Sequence, residues 1–445
     1  MGCEAPRKEL ERLNRLCSIT AGLLVALSFL AAGQPTSATI CATDRVPAAT
    51  LLLPYFEVDL DNPNGLTTLF SVNNAFASAV LAHVSIWSDL SVPLLNFNVY
   101  LTGYDVQTIN LRDIIVYGNL PQTASGGQDP TDTISPKGRL SEDINFASCQ
   151  GQLPPTALTS AFLAHVQSAL TGKASPVFDN RCSAQLFGDN IARGYITVDT
   201  VNNCTVRFPG DPGYFAPNLT GDVTDQNFLW GTWFIVNTTQ NYAQGADLVA
   251  IEADGTNPAT STAGRYTFYG RYDNWSADDH REPLATTFVT QFANGGVFSG
   301  GTDLLVWRDP KVAQAPFVCP ARGLNPGWFP LVQDGLVVFN EQEQLAVSTG
   351  FPCEGCPPFV PISFPGSTQR VQVGGASLPL PFNFGWLYLD LNTTVVGAGK
   401  NPSIDPLAVQ AWVLGTESAN GHFAVSLDAY RLDSACAAQH FVPGQ

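Results

Sequence analysis

Charge is scarce in this chain. Only 13% of its 445 residues are Asp, Glu, Lys or Arg, and Lys plus Arg number 21 against 38 acidic residues, a formal net charge of −17. A surface of that sign repels phosphate backbones and anionic lipid headgroups, which excludes nucleic acid as a partner. Catalytic signatures are missing as well. The five histidines, His83, His165, His280, His422 and His440, are scattered, and neither HExxH nor GxSxG nor a glycine-rich phosphate loop after a strand occurs. The acidic stretches do not follow the calcium-binding spacing D-x-[DN]-x-[DN]-G. Beyond residue 38 no apolar run approaches the length of a membrane span.

What is present begins with an export signal over residues 1–38. Arg7, Lys8, Arg12 and Arg15 precede an apolar stretch from Ile19 to Ala32, with small residues at Thr36, Ser37 and Ala38. The alternative is an uncleaved anchor, since Glu4, Glu9 and Glu11 interrupt the basic region. Eight cysteines follow the signal: Cys41, Cys149, Cys182, Cys204, Cys319, Cys353, Cys356 and Cys436. An even number in an exported chain reads as disulfides, with the pairing left open. Cys353 and Cys356 form a C-x-x-C pair in a proline-rich loop, without the second pair of a zinc ribbon or the helix start that activates a redox thiol.

The chain repeats itself in three blocks. TTLFSVNNAFASAVLAHVSIWSD (67–89) is answered by TTFVTQFANGGVFSGGTDLLVWRD (286–309), RGYITVDT (193–200) by FGWLYLDL (384–391), and TWFIVNTTQNYAQGADLVAIEAD (232–254) by AWVLGTESANGHFAVSLDAYRLD (411–433). Fixed order of similar blocks implies duplication of one folding unit. Within the blocks apolar residues alternate with period two. Val84 and Ile86 oppose His83, Ser85, Trp87 and Asp89; Ile196 and Val198 oppose Tyr195, Thr197 and Asp199; Leu387 and Leu389 oppose Trp386, Tyr388 and Asp390. Alternation of this kind marks half-buried antiparallel strands, and the breaks DNPNG, FPGDPG and GTNP supply turn residues. The fold class expected is therefore all-β: two tandem duplicated antiparallel β-sandwich domains, at 39–258 and 264–436, with a tail at 437–445. Over the two repeated regions this strand pattern resembles that of immunoglobulin-like modules in bacterial envelope proteins.

One helix is expected, from Ala157 to Thr171, where Leu158, Phe162, Val166 and Leu170 recur at fourfold spacing, with Thr156 as its cap and Gly172 as its stop. It lies in an insertion of the first domain at about 118–192. Cys149 and Cys182 bracket it, and a bridge between them would pin it; Cys319 with Cys353 or Cys356 would do the same in the second domain.

Two sets of residues suggest ligand chemistry. Trp87 with Asp89, and Trp307 with Asp309, each place a ring and a carboxylate on one strand face, an arrangement that stacks on a sugar and accepts its hydroxyls; packing is the alternative. Asp59, Asp61, Asp278 and Asp279 lie in acidic loops whose hard oxygens suit calcium, or else are solvated turn acids; no other cofactor is expected. His280, within Asp278-Asp279-His280-Arg281-Glu282, has the richest acid–base surroundings. The expectation is a secreted, non-enzymatic protein for binding, adhesion or envelope structure, with polysaccharide or another envelope protein as partner. The alternative is a secreted carbohydrate-active hydrolase, or a carbohydrate-binding protein.

Overall fold

Strands dominate wherever the chain is described. The structure is a computed structural model and describes residues 45–122, 147–153, 155–254, 267–272, 278–310, 314–319, 335–348, 366–375, 380, 382–391, 410–419 and 423–434. The expected signal at 1–38, the tail at 437–445, Cys41, Cys353, Cys356 and Cys436 lie outside these residues, as do residues 255–264, where the two expected domains meet.

The first half contains β1 (Thr50–Asp59), β2 (Leu66–Asn74), β3 (Val80–Ser88), β4 (Pro93–Leu101), β5 (Val106–Asn110), β6 (Ile191–Val201), β7 (Leu229–Trp230), β8 (Thr232–Asn237), β9 (Tyr242–Asp247) and β10 (Val249–Ile251). The second contains β11 (Ala285–Ala293), β12 (Gly301–Arg308), β13 (Gly335–Phe339), β14 (Leu345–Ser348), β15 (Thr368–Gln372), β16 (Phe384–Asp390), β17 (Ala411–Ala419), β18 (Phe423–Asp428) and β19 (Tyr430–Ser434). Two α-helices, α1 (Leu111–Ile115) and α2 (Ser160–Leu170), fall between β5 and β6.

The strands form four antiparallel sheets, so the chain is all-β and sandwich-like. In the first half the lateral orders are β10-β1-β6-β3-β4 and β5-β2-β8-β9, with β7 beside β2. In the second they are β19-β11-β16-β13-β14 and β15-β12-β17-β18. Taken in chain order, the strands of the two halves occupy the same lateral places. An immunoglobulin sheet sets the sixth strand between the third and the seventh. Here β6 lies between β3 and β1, and β8 pairs with β2 instead.

The second and third sequence blocks fall on matching strands, β6 with β16 and β8–β10 with β17–β19. The first does not. Residues 67–89 span β2 and β3, whereas 286–309 span β11 and β12, so Trp87 lies in β3 and Trp307 in β12, the counterpart of β2. Any half-buried strand shows period-two alternation, so an apolar match between two strands leaves open which positions in the sheet they share.

Each half buries its own apolar core. Val84, Ile86, Ile196 and Val198 meet Phe70, Val72, Trp233 and Ile235 in the first, and Leu387 and Leu389 meet Leu304, Val306 and Val413 in the second. The opposite face of β12 is buried too: Leu305 joins the first core and Trp307 an aromatic cluster with Trp87, Tyr195, Tyr214, Phe268, Tyr269 and Tyr272. This accounts for the near-continuous apolar run LLVW, since a strand covered on both faces loses its alternation. Consistent with that burial, contacts group residues 40–445 as one compact unit.

Helix α2 begins three residues later than expected, because Thr159 rather than Thr156 accepts from the Phe162 N–H at 3.3 Å. Gly172, at φ +72°, follows the C-cap as anticipated. The cysteine pairing that the sequence left open is not the bridge across the helix considered above. Cys149 bonds Cys204 and Cys182 bonds Cys319, with Cα separations of 4.9 and 5.0 Å. The second bridge therefore ties the first half's insertion to the second half, and the Phe317 and Cys182 backbones exchange two hydrogen bonds of 2.9 Å beside it. No helix among the described residues is long and apolar enough to cross a membrane.

Candidate binding cleft

The tryptophans singled out from the sequence are packing elements in this structure. Trp87 and Trp307 are both 0% exposed. The Trp87 ring lies parallel to Tyr195 at 5.7 Å and its Nε1 donates to Thr197 Oγ1 at 2.9 Å; Trp307 stacks on Phe268 at 5.5 Å and meets Tyr195 edge-on at 5.9 Å. Neither ring offers a face to a sugar. Their aspartates are equally committed. Asp89 accepts from the Gln185 backbone N–H at 3.2 Å and side chain at 2.9 Å, and its carbonyl accepts from Ser367 and Thr368 of the second half. Burial pushes the Asp89 carboxyl up to about 7 even against those hydrogen bonds. Asp309 pairs with buried Arg271 at 2.9 Å.

The four aspartates proposed for calcium sit at opposite ends of β1. Asp59, its last residue, accepts from the N–H groups of Asp61 and Asn62 at 3.0 Å, and Asp61 accepts from the Asn190 amide at 2.6 Å. Asp279 lies by the first residue: Arg281, 3.7 Å from the Asp279 carboxylate, donates from Nε to Thr50 Oγ1 at 2.6 Å. Asp279 also accepts from the Tyr269 N–H at 2.7 Å, and burial raises its carboxyl to about 6 although Arg281 pulls the other way. Asp278, next along the chain, is partly exposed. Among the described residues no three His, Cys, Asp or Glu side chains gather as a metal site.

Arg281 is the centre of a buried charged knot at the junction of the halves. It faces Asp199 at 3.7 Å and Asp225 at 3.9 Å, and Asp199 accepts from Thr50, Tyr214 and Tyr269 at 2.5, 2.5 and 3.0 Å. His280 joins it through Asp225 at 2.5 Å, a hydrogen bond that raises the imidazole's affinity for protons. The acid–base surroundings read for His280 from the sequence are thus the rim of this knot. A second set crosses the junction at Glu57, which meets Arg193 at 3.5 Å and Arg370 at 3.2 Å and accepts from Tyr55 at 2.7 Å. Arg281, Asp199, Asp279 and Glu57 are buried, and their partners close over them, which makes both sets structural.

An accessible site lies elsewhere, in a cleft of about 470 Å³ at the corner where β9 turns into β10 and β18 into β19. Trp230 lines one wall and is 45% exposed. Trp412 lines another, half-buried against the aromatic cluster, with the Arg431 guanidinium 5.0 Å from its ring centroid. Arg45 crosses the rim, 3.1 Å from Asp247 and 3.5 Å from Asp428. Asp247 is the last residue of β9 and Asp428 the last of β18, so the two acids hold corresponding places in the two halves. Leu51 and Val249 give the floor its apolar character. Gly231, between β7 and β8, allows the chain to press against the Ser71 carbonyl, where a Cβ would collide with the oxygen; this keeps Trp230 at the rim.

None of these cleft residues was selected from the sequence as a site. Asp247, Trp412, Asp428 and Arg431 do fall in the third repeated block. What distinguished Trp230 from Trp87 was exposure, which period-two patterning does not encode. Comparison with protein families, with curated proteins and with solved structures found no match.

Proposed function

We propose that the protein is an exported, non-enzymatic binding protein that holds its ligand in the cleft between Trp230 and Trp412 and serves adhesion or envelope structure. The observation carrying this reading is the composition of that cleft: an exposed ring, an apolar floor and a rim of planar charged groups, the pattern of small-ligand sites. Export is supported by the basic and apolar segment at the N-terminus and by the two disulfides, which persist in oxidising compartments. The shared strand order supports descent of both halves from one duplicated unit.

A binding role accounts for the cleft better than glycoside hydrolysis does. Hydrolysis needs one carboxyl that holds a proton and one that does not. Asp247 and Asp428 share a single arginine in matching positions, which assigns them no different roles.

The test is a thermal-shift screen of the purified protein against sugars, nucleosides, amino acids, peptides and fatty acids. At least one class should raise the melting midpoint of the wild type and leave Trp230→Ala unmoved, because a ligand bound to the native state stabilises it by mass action. If no class shifts the midpoint, or every shift survives in Trp230→Ala, the cleft is not a binding site. Localisation is read separately, from the cell fraction that carries the mature chain and from the resistance of its cysteines to alkylation.

A further inference from the structure

We infer that the cleft takes a short neutral oligosaccharide, an inference that rests on the binding role just proposed. Three features select this chemistry. The first is the exposed ring of Trp230, whose flat apolar surface, 45% exposed at the cleft wall, matches the C–H face of a pyranose. The Trp412 ring is partly taken by Arg431, so it contributes a wall and a fixed guanidinium rather than a second open platform.

The second feature is the hydrogen-bonding character of the rim. Arg45 and Arg431 donate in planar forks, and Asp247 and Asp428 accept through two oxygens each. A sugar hydroxyl both donates and accepts, and neighbouring hydroxyls are spaced for a fork or a carboxylate. A rim holding both kinds of group suits them; a fatty acyl chain would leave those groups desolvated and unpaired.

The third feature is charge balance. Two arginines and two aspartates line the cleft, and Arg45 already joins both aspartates. An anionic ligand would have to draw Arg45 off its partners and approach a chain of net charge −17. A cation would have to displace Arg45 from the same acids. A neutral ligand needs neither change. The volume of about 470 Å³ lies in the range of small-ligand sites, about 300–1,000 Å³, and leaves room for more than one sugar ring.

The experiment is calorimetric titration of the mature protein with neutral gluco-, galacto- and manno-trisaccharides, alongside oligo-uronates, oligoglucosamine and an unstructured peptide. At least one neutral series should bind, with affinity falling tenfold or more in Trp230→Ala and less in Trp230→Phe, which keeps a ring. Raising salt from about 0.05 to about 0.5 M should change that affinity less than twofold, since no net charge is exchanged on binding. Ala75→Gln, which narrows the cleft from a second lining position, should weaken the same sugar. Binding of uronate, oligoglucosamine or peptide that depends on Trp230, with no neutral sugar bound, overturns the ligand class and leaves the binding cleft standing. Neutral sugar binding indifferent to both substitutions overturns the inference. No Trp230-dependent binding of any probe overturns the cleft itself.

Discussion

Replacing Asp89 by asparagine should stabilise the protein in alkaline solution. Asp89 is 2% exposed and links the halves through its backbone carbonyl, so loss of its charge would ordinarily be read as loss of a buried anchor. Its carboxyl, however, titrates near 7 rather than near the ordinary 3.8, because burial costs the charged form more than Gln185 returns. The folded state thus binds a proton that the unfolded chain has released, and stability from this group is full below pH 3.8 and lost as pH rises through 7. Between pH 5 and 8 the loss is about 2–3 kcal/mol, from the proton linkage of one group at 1.36 kcal/mol per pKa unit. Asparagine copies the neutral acid in shape, and the Gln185 amide can turn its carbonyl toward the new Nδ2. His83, whose proton affinity is lowered by burial, works in the opposite direction but only below pH 6.5. His280, raised by Asp225, loses its contribution above that pH and is common to both proteins. Urea denaturation of wild type and Asp89→Asn at pH 5 and pH 8 isolates the contribution of this carboxyl. The variant should gain about 2–3 kcal/mol on wild type between the two pH values. A difference that does not change with pH refutes the argument, because it would mean that Asp89 is ionised throughout.

Three other outcomes follow from the same junction. Removing the Cys182–Cys319 bridge by Cys182→Ser with Cys319→Ser frees a loop with a sequence separation of 137 and should cost about 2–5 kcal/mol, read from non-reducing guanidinium titrations of variant and wild type. Arg281→Met leaves Asp199 and Asp279 buried without their cation and should cost about 3–5 kcal/mol, read as the denaturation midpoint, whereas Arg45→Met at the exposed rim should change stability by less than about 1 kcal/mol. Trp87→Ala should cost about 3–5 kcal/mol and weaken sugar binding only through unfolding, so affinity measured per folded molecule should match wild type; a selective loss of affinity would return Trp87 to the ligand site.

Strand content and the facing of individual residues were legible from the sequence because burial on one side of a sheet leaves a period of two. Val84, Ile86, Ile196, Val198, Leu387 and Leu389 all point to cores as their alternation requires. The other face was legible only as a set of residues, not as an environment. His83, Trp87, Tyr195 and Asp199 have the look of a solvated face bearing a ligand platform, yet they are buried beneath Tyr214, Phe268 and Tyr269. A sheet covered on both sides by different layers carries polar groups on one of them when those groups satisfy each other, as Asp199 does with Thr50, Tyr214 and Tyr269. The disulfides escaped prediction for a related reason. The sequence left the pairing open because partners are set by which loops meet in the fold: Cys149 bonds Cys204 within the first half, whereas Cys182 meets a partner 137 positions away in the second.

The cleft follows from the way two similar halves are joined. Each half ends its hairpin strand on an aspartate, Asp247 in β9 and Asp428 in β18, and then turns directly into the edge strand of its other sheet, β10 or β19. A sandwich standing alone would expose such a corner as a convex edge. Here the sheets holding β9 and β17 abut, with the Gln244 amide donating to Thr416 Oγ1 at 2.6 Å, and this brings the two corners to the same place. Two equivalent acids drawn together would repel each other. Arg45, just ahead of β1, lies between them and offsets that repulsion. The departure from equivalence supplies the rest. β7 is present only in the first half among the described residues and delivers Trp230 to the rim, while the second half contributes Arg431 over Trp412. Repetition thus sets the balanced charge of the cleft and asymmetry sets its exposed ring, so a ligand that reads both must touch the two halves at once.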